Sequence, residues 1–186
     1  LNPDVYVILV TEGETGRALA GGRVHRANRK NPLPIEDAVG YMDDRIYGMV
    51  EERTDAGTGE LAGLWNSWEI AGLGIGSMHM GTACVAYADL IGLTTLFGLC
   101  APATYRNTLR GGFRVIKEIG NDGKFYYPKE DMTATALLVD DIKNLPITME
   151  PERSIAMNMR VNEISHQEIL SKTGQIINLH FDLTKR

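Results

Sequence analysis

The chain opens on an apolar run from Asp4 to Thr11, rich in β-branched and aromatic residues, and a second strand-like run covers Arg17 to Ala27. Turn chemistry from Glu12 to Gly16 separates them, so the pair predicts a β-hairpin. Residues Asn28 to Thr58 are polar and broken by Pro32 and Pro34, which predicts an excursion containing one helix over Ile35 to Val50. Short apolar runs return at Gly59 to Asn66, a strand that leads towards a glycine-rich turn. Apolar positions from Ser77 to Ile91 predict a helix stopped at Gly92, followed by a buried strand over Thr94 to Ala101. Pro102 suits the first position of a short helix from Ala103 to Arg110.

Phe113 to Ile119 and Asp131 to Val139 are two further strand candidates, split by the Asn121-Asp122-Gly123 turn and Pro128, and they pair antiparallel at the sheet's end. Beyond Pro146 the pattern changes: helices are expected over Pro151 to Met157 and Asn162 to Ser171, then a strand over Gln175 to Leu183. Strands and helices alternate without an internal repeat, which points to an α/β or α+β sheet. The expected organisation is one domain over residues 1–144 and a C-terminal extension over 145–186. The first strand pattern begins within a few residues of Leu1, which fits a domain whose first elements lie outside this sequence.

Composition narrows the picture. With 186 residues and 44% hydrophobic content the chain can bury one substantial core. A net charge of -5 disfavours general binding of nucleic acid, which needs clustered Lys and Arg. No apolar stretch reaches the roughly 18 residues of a membrane span, and no signal pattern opens the chain, so a cytoplasmic protein without a membrane partner is expected. Cys84 and Cys100 both lie in apolar runs and read as small buried hydrophobes. His25, His79, His166 and His180 are too scattered for a metal-ligand spacing, so no metal site is expected. Asp140, Asp141, Glu150 and Glu152 read as solvated charges.

The candidate chemistry lies in Gly72-Leu73-Gly74-Ile75-Gly76-Ser77, directly ahead of the predicted helix. Glycines there let backbone approach a ligand while unpaired helix N–H groups point at it, which makes an anion cradle suited to a diphosphate. The same glycines also read as a tight structural turn. Ser77 stands where a dinucleotide fingerprint needs its third glycine, and no Gly-Lys-Ser or Gly-Lys-Thr follows, so neither of those nucleotide motifs is met.

Glu60-Leu61-x-x-Leu64-Trp65-Asn66, the glycine loop, a helix, a strand and then Gly112-Phe113-Arg114-Val115 together resemble the core of the GNAT acyltransferases, over roughly residues 4 to 140. Ala71 departs from that family's loop pattern, which carries Arg or Gln there; Gly74 and Gly76 fit it. The resemblance implies a mixed β-sheet splayed at its centre and flanked by helices, with acyl-coenzyme A or acetyl-coenzyme A as cosubstrate. Its diphosphate would sit on Gly72, Leu73, Gly74, Ile75, Gly76 and Ser77, and its pantetheine arm would pair with main chain near Trp65 and Asn66. Glu60 falls where relatives carry the base that takes the proton of an amine or amino-acid-like acceptor. Thr108 occupies the place of a tyrosine that protonates the departing thiolate, which leaves Tyr105, nearly one helical turn earlier, as the candidate acid.

The missing tyrosine and the form Thr108-Leu109-Arg110-Gly111-Gly112-Phe113 also resemble the branch that makes acyl-homoserine lactones or N-acyl amino acids, some of which use acyl carrier protein donors. A noncatalytic module that binds acyl-coenzyme A or another nucleotide is the alternative of a different class, and a homodimer is compatible with either reading.

Overall fold

The computed structural model describes residues 2–171 and 174–184; the outer limits of the expected domain and extension, Leu1 and Arg186, lie outside them. Strands β1 (Val5–Thr11), β2 (Ala18–Arg26), β3 (Thr58–Asn66), β4 (Thr95–Cys100), β5 (Arg114–Val115), β6 (Lys124–Tyr126) and β7 (Thr133–Val139) form one mixed sheet. Its order is β1-β2-β3-β4-β7-β5, with β6 also on β7. Every pairing is antiparallel except β3 with β4, which sits at the centre. The parallel step needs a crossover, and α3 (Met80–Leu90) supplies it between those strands.

Strand alternation divides the core into two layers. Leu61, Leu96, Leu137 and Val139 point to the face covered by α3, whereas Phe97, Ala136 and Leu138 point to the face covered by α1 (Pro34–Val39) and α2 (Arg45–Thr54). Both faces of β4 and β7 are therefore buried, which explains why Thr133–Val139 reads as a continuous apolar run. α4 (Pro102–Arg110) lies against the sheet near β4 and β7, with Pro102 at its first turn.

The single helix expected over Ile35 to Val50 is two helices, α1 and α2. Tyr47 lies across Gly40, where an added Cβ would meet its hydroxyl at 2.3 Å, and Asp43 accepts the Gly120 N–H at 2.8 Å. Side chain and backbone together anchor a bend in place of a continuous turn. The strand expected over Phe113 to Ile119 shrinks to Arg114–Val115, because the chain leaves the sheet and returns as β6 after the Asp122-Gly123 turn, both residues at positive φ.

The helix expected over Asn162 to Ser171 is a strand, β8 (Ile164–Leu170), paired antiparallel with β9 (Ile176–Asp182) through all seven of its residues. Its burial alternates, with Ser165 buried and Ile164, His166, Glu168 and Leu170 exposed, which is the period of a strand. α5 (Glu152–Val161) packs along α3 and closes the core with Leu145, Ala156, Met159 and Leu183. Arg160 ties α5 to the segment after β7 by donating to the carbonyls of Lys143 and Ile142 at 2.9 and 2.8 Å.

Phe97 has no exposed surface and joins the sheet to α1 and α2. Phe97→Ala is expected to lower the unfolding free energy by about 3–5 kcal/mol, read from denaturant melts; a loss under about 1 kcal/mol would mean that this layer repacks.

Candidate functional site

The site begins where the central parallel pair ends. β3 and β4 are bonded from Thr58 opposite Thr95 to Leu61 opposite Gly98, and no farther. Beyond Leu61 the register of β3 with β2 shifts: β2 advances from Gly21 to Arg23 while β3 runs from Trp65 to Ala62. The extra residue is a bulge at Gly63, whose φ of 61° a side chain would strain. It bends β3 away from β4 and keeps Leu64 on the same side as Leu61. Among the described residues, no strand pairs with β3 from Ala62 to Asn66 on its β4 side.

A cleft fills the opening. Leu61, Leu64 and Asn66 form one wall, Val85 and Thr82 of α3 the floor, and Thr104, Asn107 and Thr108 of α4 the other wall. Phe113 closes the inner end; it fits because Gly98 has no side chain, an added Cβ lying 3.2 Å from the ring.

The end of the glycine loop, Gly76 and Ser77, lines the cleft mouth, whereas the expected Gly72, Leu73, Gly74 and Ile75 do not line it: Leu73 faces a neighbouring cavity and Ile75 another beneath β1. Gly72 and Gly74 both have φ of 81°, the left-handed region in which glycine is unstrained. Gly76 is required for packing, since a Cβ there would lie 2.3 Å from that of Asn66. The helix expected from Ser77 begins two residues earlier, as a π-helical turn over Ile75–His79 that runs into α3. Its first bonds run from the Met78 and His79 N–H groups to the Gly74 carbonyl, at 2.9 and 3.1 Å. The N–H groups of Ile75, Gly76 and Ser77 precede these bonds, so they lie at the positive end of the helix dipole. Ile75 is buried and Leu73 packs on the core, which fixes the loop's backbone. Across the mouth, Asn107 of α4 donates to Ser77 Oγ at 3.0 Å.

The other expected site residues do not all converge here. Asn66 lines the cleft; Trp65 does not, its half-exposed ring lying over Gly21 instead. Tyr105 is half-buried against the core and outside the cleft wall, whereas Thr108, three residues on, lines it and donates to the Tyr105 carbonyl at 2.7 Å. Glu60 is buried on the opposite face from Leu61, where its carboxylate accepts the Ile35 N–H at 2.7 Å in the first turn of α1. Burial pushes the Glu60 carboxyl up to about 8; the Ile35 N–H and Arg23 oppose that rise, and Glu36 and Asp37 add to it.

Burial also pushes the Cys84 thiol up to about 12 and raises that of Cys100, so neither is a ready thiolate. Among the described residues, no group of three or more His, Cys, Asp or Glu side chains converges as metal ligands would.

One cleft residue was misread from the sequence. Glu152, expected to be a solvated charge, is 2% exposed and lines the cleft. Arg110 at the end of α4 reaches its Oε1 with two bonds of 2.8 and 2.6 Å. Nothing in the spacing of residues 110 and 152 marks this pair, because it depends on how α5 returns to α3.

No protein-family model matches the chain, and no curated protein is significantly similar to it. Solved structures are similar in fold. FeeM, an N-acyl amino acid synthase from uncultured soil microbes, superposes with a TM-score of 0.59 at 12% identity, over 82% of this chain and 75% of that one. TofI, solved in a ternary complex with an inhibitor and MTA, gives 0.51 at 14% identity, over 76% and 66%. BjaI, a coenzyme A-dependent acyl-homoserine lactone synthase solved with MTA, gives 0.50 at 13% identity, over 85% and 65%. This is the GNAT fold. The splayed central pair and the helix rising from a glycine loop are thus the GNAT-type mixed sheet implied by the resemblance, and FeeM and BjaI are synthases, of N-acyl amino acids and of acyl-homoserine lactones.

The Glu60 carboxyl makes stability depend on pH. Its folded value, about 8, lies above the ordinary 4.5, so between these values the folded chain holds a proton that the unfolded chain has lost. Stability from this group is full below 4.5 and is lost as pH rises to about 8. Urea melts across that window should show a decline in the native chain that Glu60→Gln flattens. Parallel declines in the two proteins would show that Glu60 ionises freely when folded.

Proposed function

We propose that the chain transfers an acyl group from an acyl-coenzyme A to an amine, by direct attack within a ternary complex. The observation that carries the reading is the main-chain edge of β3 that β4 leaves unpaired beside the cleft, with the N-terminal N–H groups of the Ile75–His79 turn near its mouth. A pantetheine arm is a chain of amides, and it binds such an edge as an added strand would, through the main chain of Trp65 and Asn66. Its diphosphate takes the N–H groups of the Gly72 to Ser77 loop. The apolar walls from Leu61 to Phe113 exclude water from the thioester.

An ammonium must lose a proton before its nitrogen attacks. Glu60 lies one residue before the sheet opens, on the face away from the cleft, so with its carboxyl raised to about 8 it would take the proton through a water at the split rather than by direct contact. Attack forms the new C–N bond, main-chain N–H groups stabilise the oxyanion, and the C–S bond breaks with the electron pair leaving on sulfur. Thr108, in the cleft wall, is the nearer hydroxyl for the departing sulfur once it turns its proton away from the Tyr105 carbonyl, and Tyr105 is the second candidate. No covalent enzyme intermediate is needed, in keeping with the raised thiols. An acyl carrier protein presents the same arm on one phosphate, whereas a cradle with several N–H groups suits the diphosphate of coenzyme A better.

Two variants test this reading. Gly74→Glu sets a carboxylate against the diphosphate and should weaken acyl-coenzyme A binding by more than about tenfold, with the far-ultraviolet dichroism of the native chain. Undiminished affinity in that folded variant removes the loop from the site. Glu60→Gln should slow acyl transfer by about 10²- to 10⁴-fold at unchanged acyl-coenzyme A affinity. The native rate should rise with pH towards about 8; a variant with the same profile would exclude Glu60 as the base.

A further inference from the structure

The C-terminal hairpin turns one face inward and the other to solvent. Along β8 the even-numbered residues from Ile164 to Leu170 are exposed, and along β9 those from Ile176 to Asp182. The ladder between the two strands sets His166 directly opposite His180. Opposite residues of an antiparallel pair share a face, with Cβ atoms about 4.5–5.5 Å apart. Two histidines that look scattered along the chain therefore meet on the solvent side of the hairpin, and of the chain's four histidines they alone are exposed.

Their rings touch. His180 Nδ1 lies 3.2 Å from Nδ1 and 3.3 Å from Nε2 of His166, with the ring centroids 4.4 Å apart and the planes inclined at 53°. Two imidazole nitrogens bound to one tetrahedral zinc ion at about 2.0–2.1 Å stand about 3.3–3.4 Å from each other. The hairpin thus holds the nitrogens at the separation that one ion requires. Rotation of the exposed rings about their soft terminal torsions aims both lone pairs at that ion.

The surroundings favour a cation. Glu168 and Asp182 lie on the same exposed face, in the pairs that flank the histidines on either side. Neither strand carries Lys or Arg.

We propose that His166 and His180 bind one zinc ion across the hairpin, with water in its remaining positions. Imidazole nitrogen favours zinc over magnesium or calcium, which prefer oxygen ligands. A closed structural site has four protein ligands, whereas this pair supplies two, so the ion stays open to solvent and exchanges with it. It joins β8 to β9 outside their main-chain ladder and so stabilises the folded hairpin. The site stands apart from acyl transfer, since neither histidine lines the cleft.

The test is calorimetric titration of the full chain, carrying no histidine tag, with zinc chloride near neutral pH and magnesium chloride as the control. Zinc should saturate at one ion per chain and raise the midpoint of thermal unfolding, and magnesium should do neither. His166→Ala and His180→Ala should each weaken zinc binding by at least about tenfold and remove most of that rise. Both side chains are exposed, so each variant should keep the far-ultraviolet dichroism of the native chain. Absence of saturation, one ion shared by two chains, an equal response to magnesium, or an unchanged zinc affinity in either variant would overturn the proposal. Such a failure leaves the proposed transfer standing, because the cleft and its loop take no part in the experiment.

Discussion

The arrangement depends on one constraint: two neighbouring parallel strands stop sharing hydrogen bonds halfway along their length. Buried main-chain groups are almost always paired, so a strand that leaves its neighbour needs a reason to do so and another partner for its exposed edge. The reason is local. Gly63 inserts a bulge that β2 follows on one side and β4 cannot follow on the other. What remains is an edge inside the molecule, next to apolar walls, which is the condition that an extended amide-bearing ligand satisfies. Asn66 then ties this edge to the glycine loop, since only a residue without a side chain at Gly76 lets the two approach.

Two buried carboxylates frame the opening, one on each face of the sheet, and they are handled differently. Among the described residues Glu60 has one backbone donor and no cation bonded to it, so burial favours its protonated form. Glu152 is met by the fork of Arg110, which keeps a charged pair at the side of the cleft where α4 and α5 approach. A buried pair of this kind contributes little net stability by itself, yet removal of one partner leaves an uncompensated charge. The pair therefore acts mainly to fix α4 against α5 and so to set the width of the cleft.

The order of strands and helices was legible from Asp4 to Ala27 and from Gly59 to Arg110, where hydrophobic period and turn residues agreed with each other; β6, which pairs with β7 after the Asp122-Gly123 turn, was not. The glycine loop was legible too, both as a turn and as the start of a helix. Three further features were not. The break between α1 and α2 depends on Tyr47 folding over Gly40 and on Asp43 reaching Gly120, contacts that local pattern does not encode. The segment Asn162 to Ser171 has enough Glu, Gln and Leu to pass for a helix, and only its pairing with β9 decides for a strand. Glu152 looked like one of a run of surface acids until α5 turned it inward. For the site itself, position relative to the loop singled out Glu60 and the resemblance named Asn66, but that Asn66 turns into the cleft depends on the bulge at Gly63.

The most direct measurement of the central claim is a calorimetric titration of the full chain with an acyl-coenzyme A against 3′-phosphoadenosine diphosphate, which keeps the diphosphate and lacks the pantetheine arm. If the arm lies along β3, the acyl-coenzyme A should bind at least about tenfold more tightly, because only it reaches the free edge beyond Leu61. Equal affinity for the two would mean that the cleft does not hold the arm, and would contradict the account.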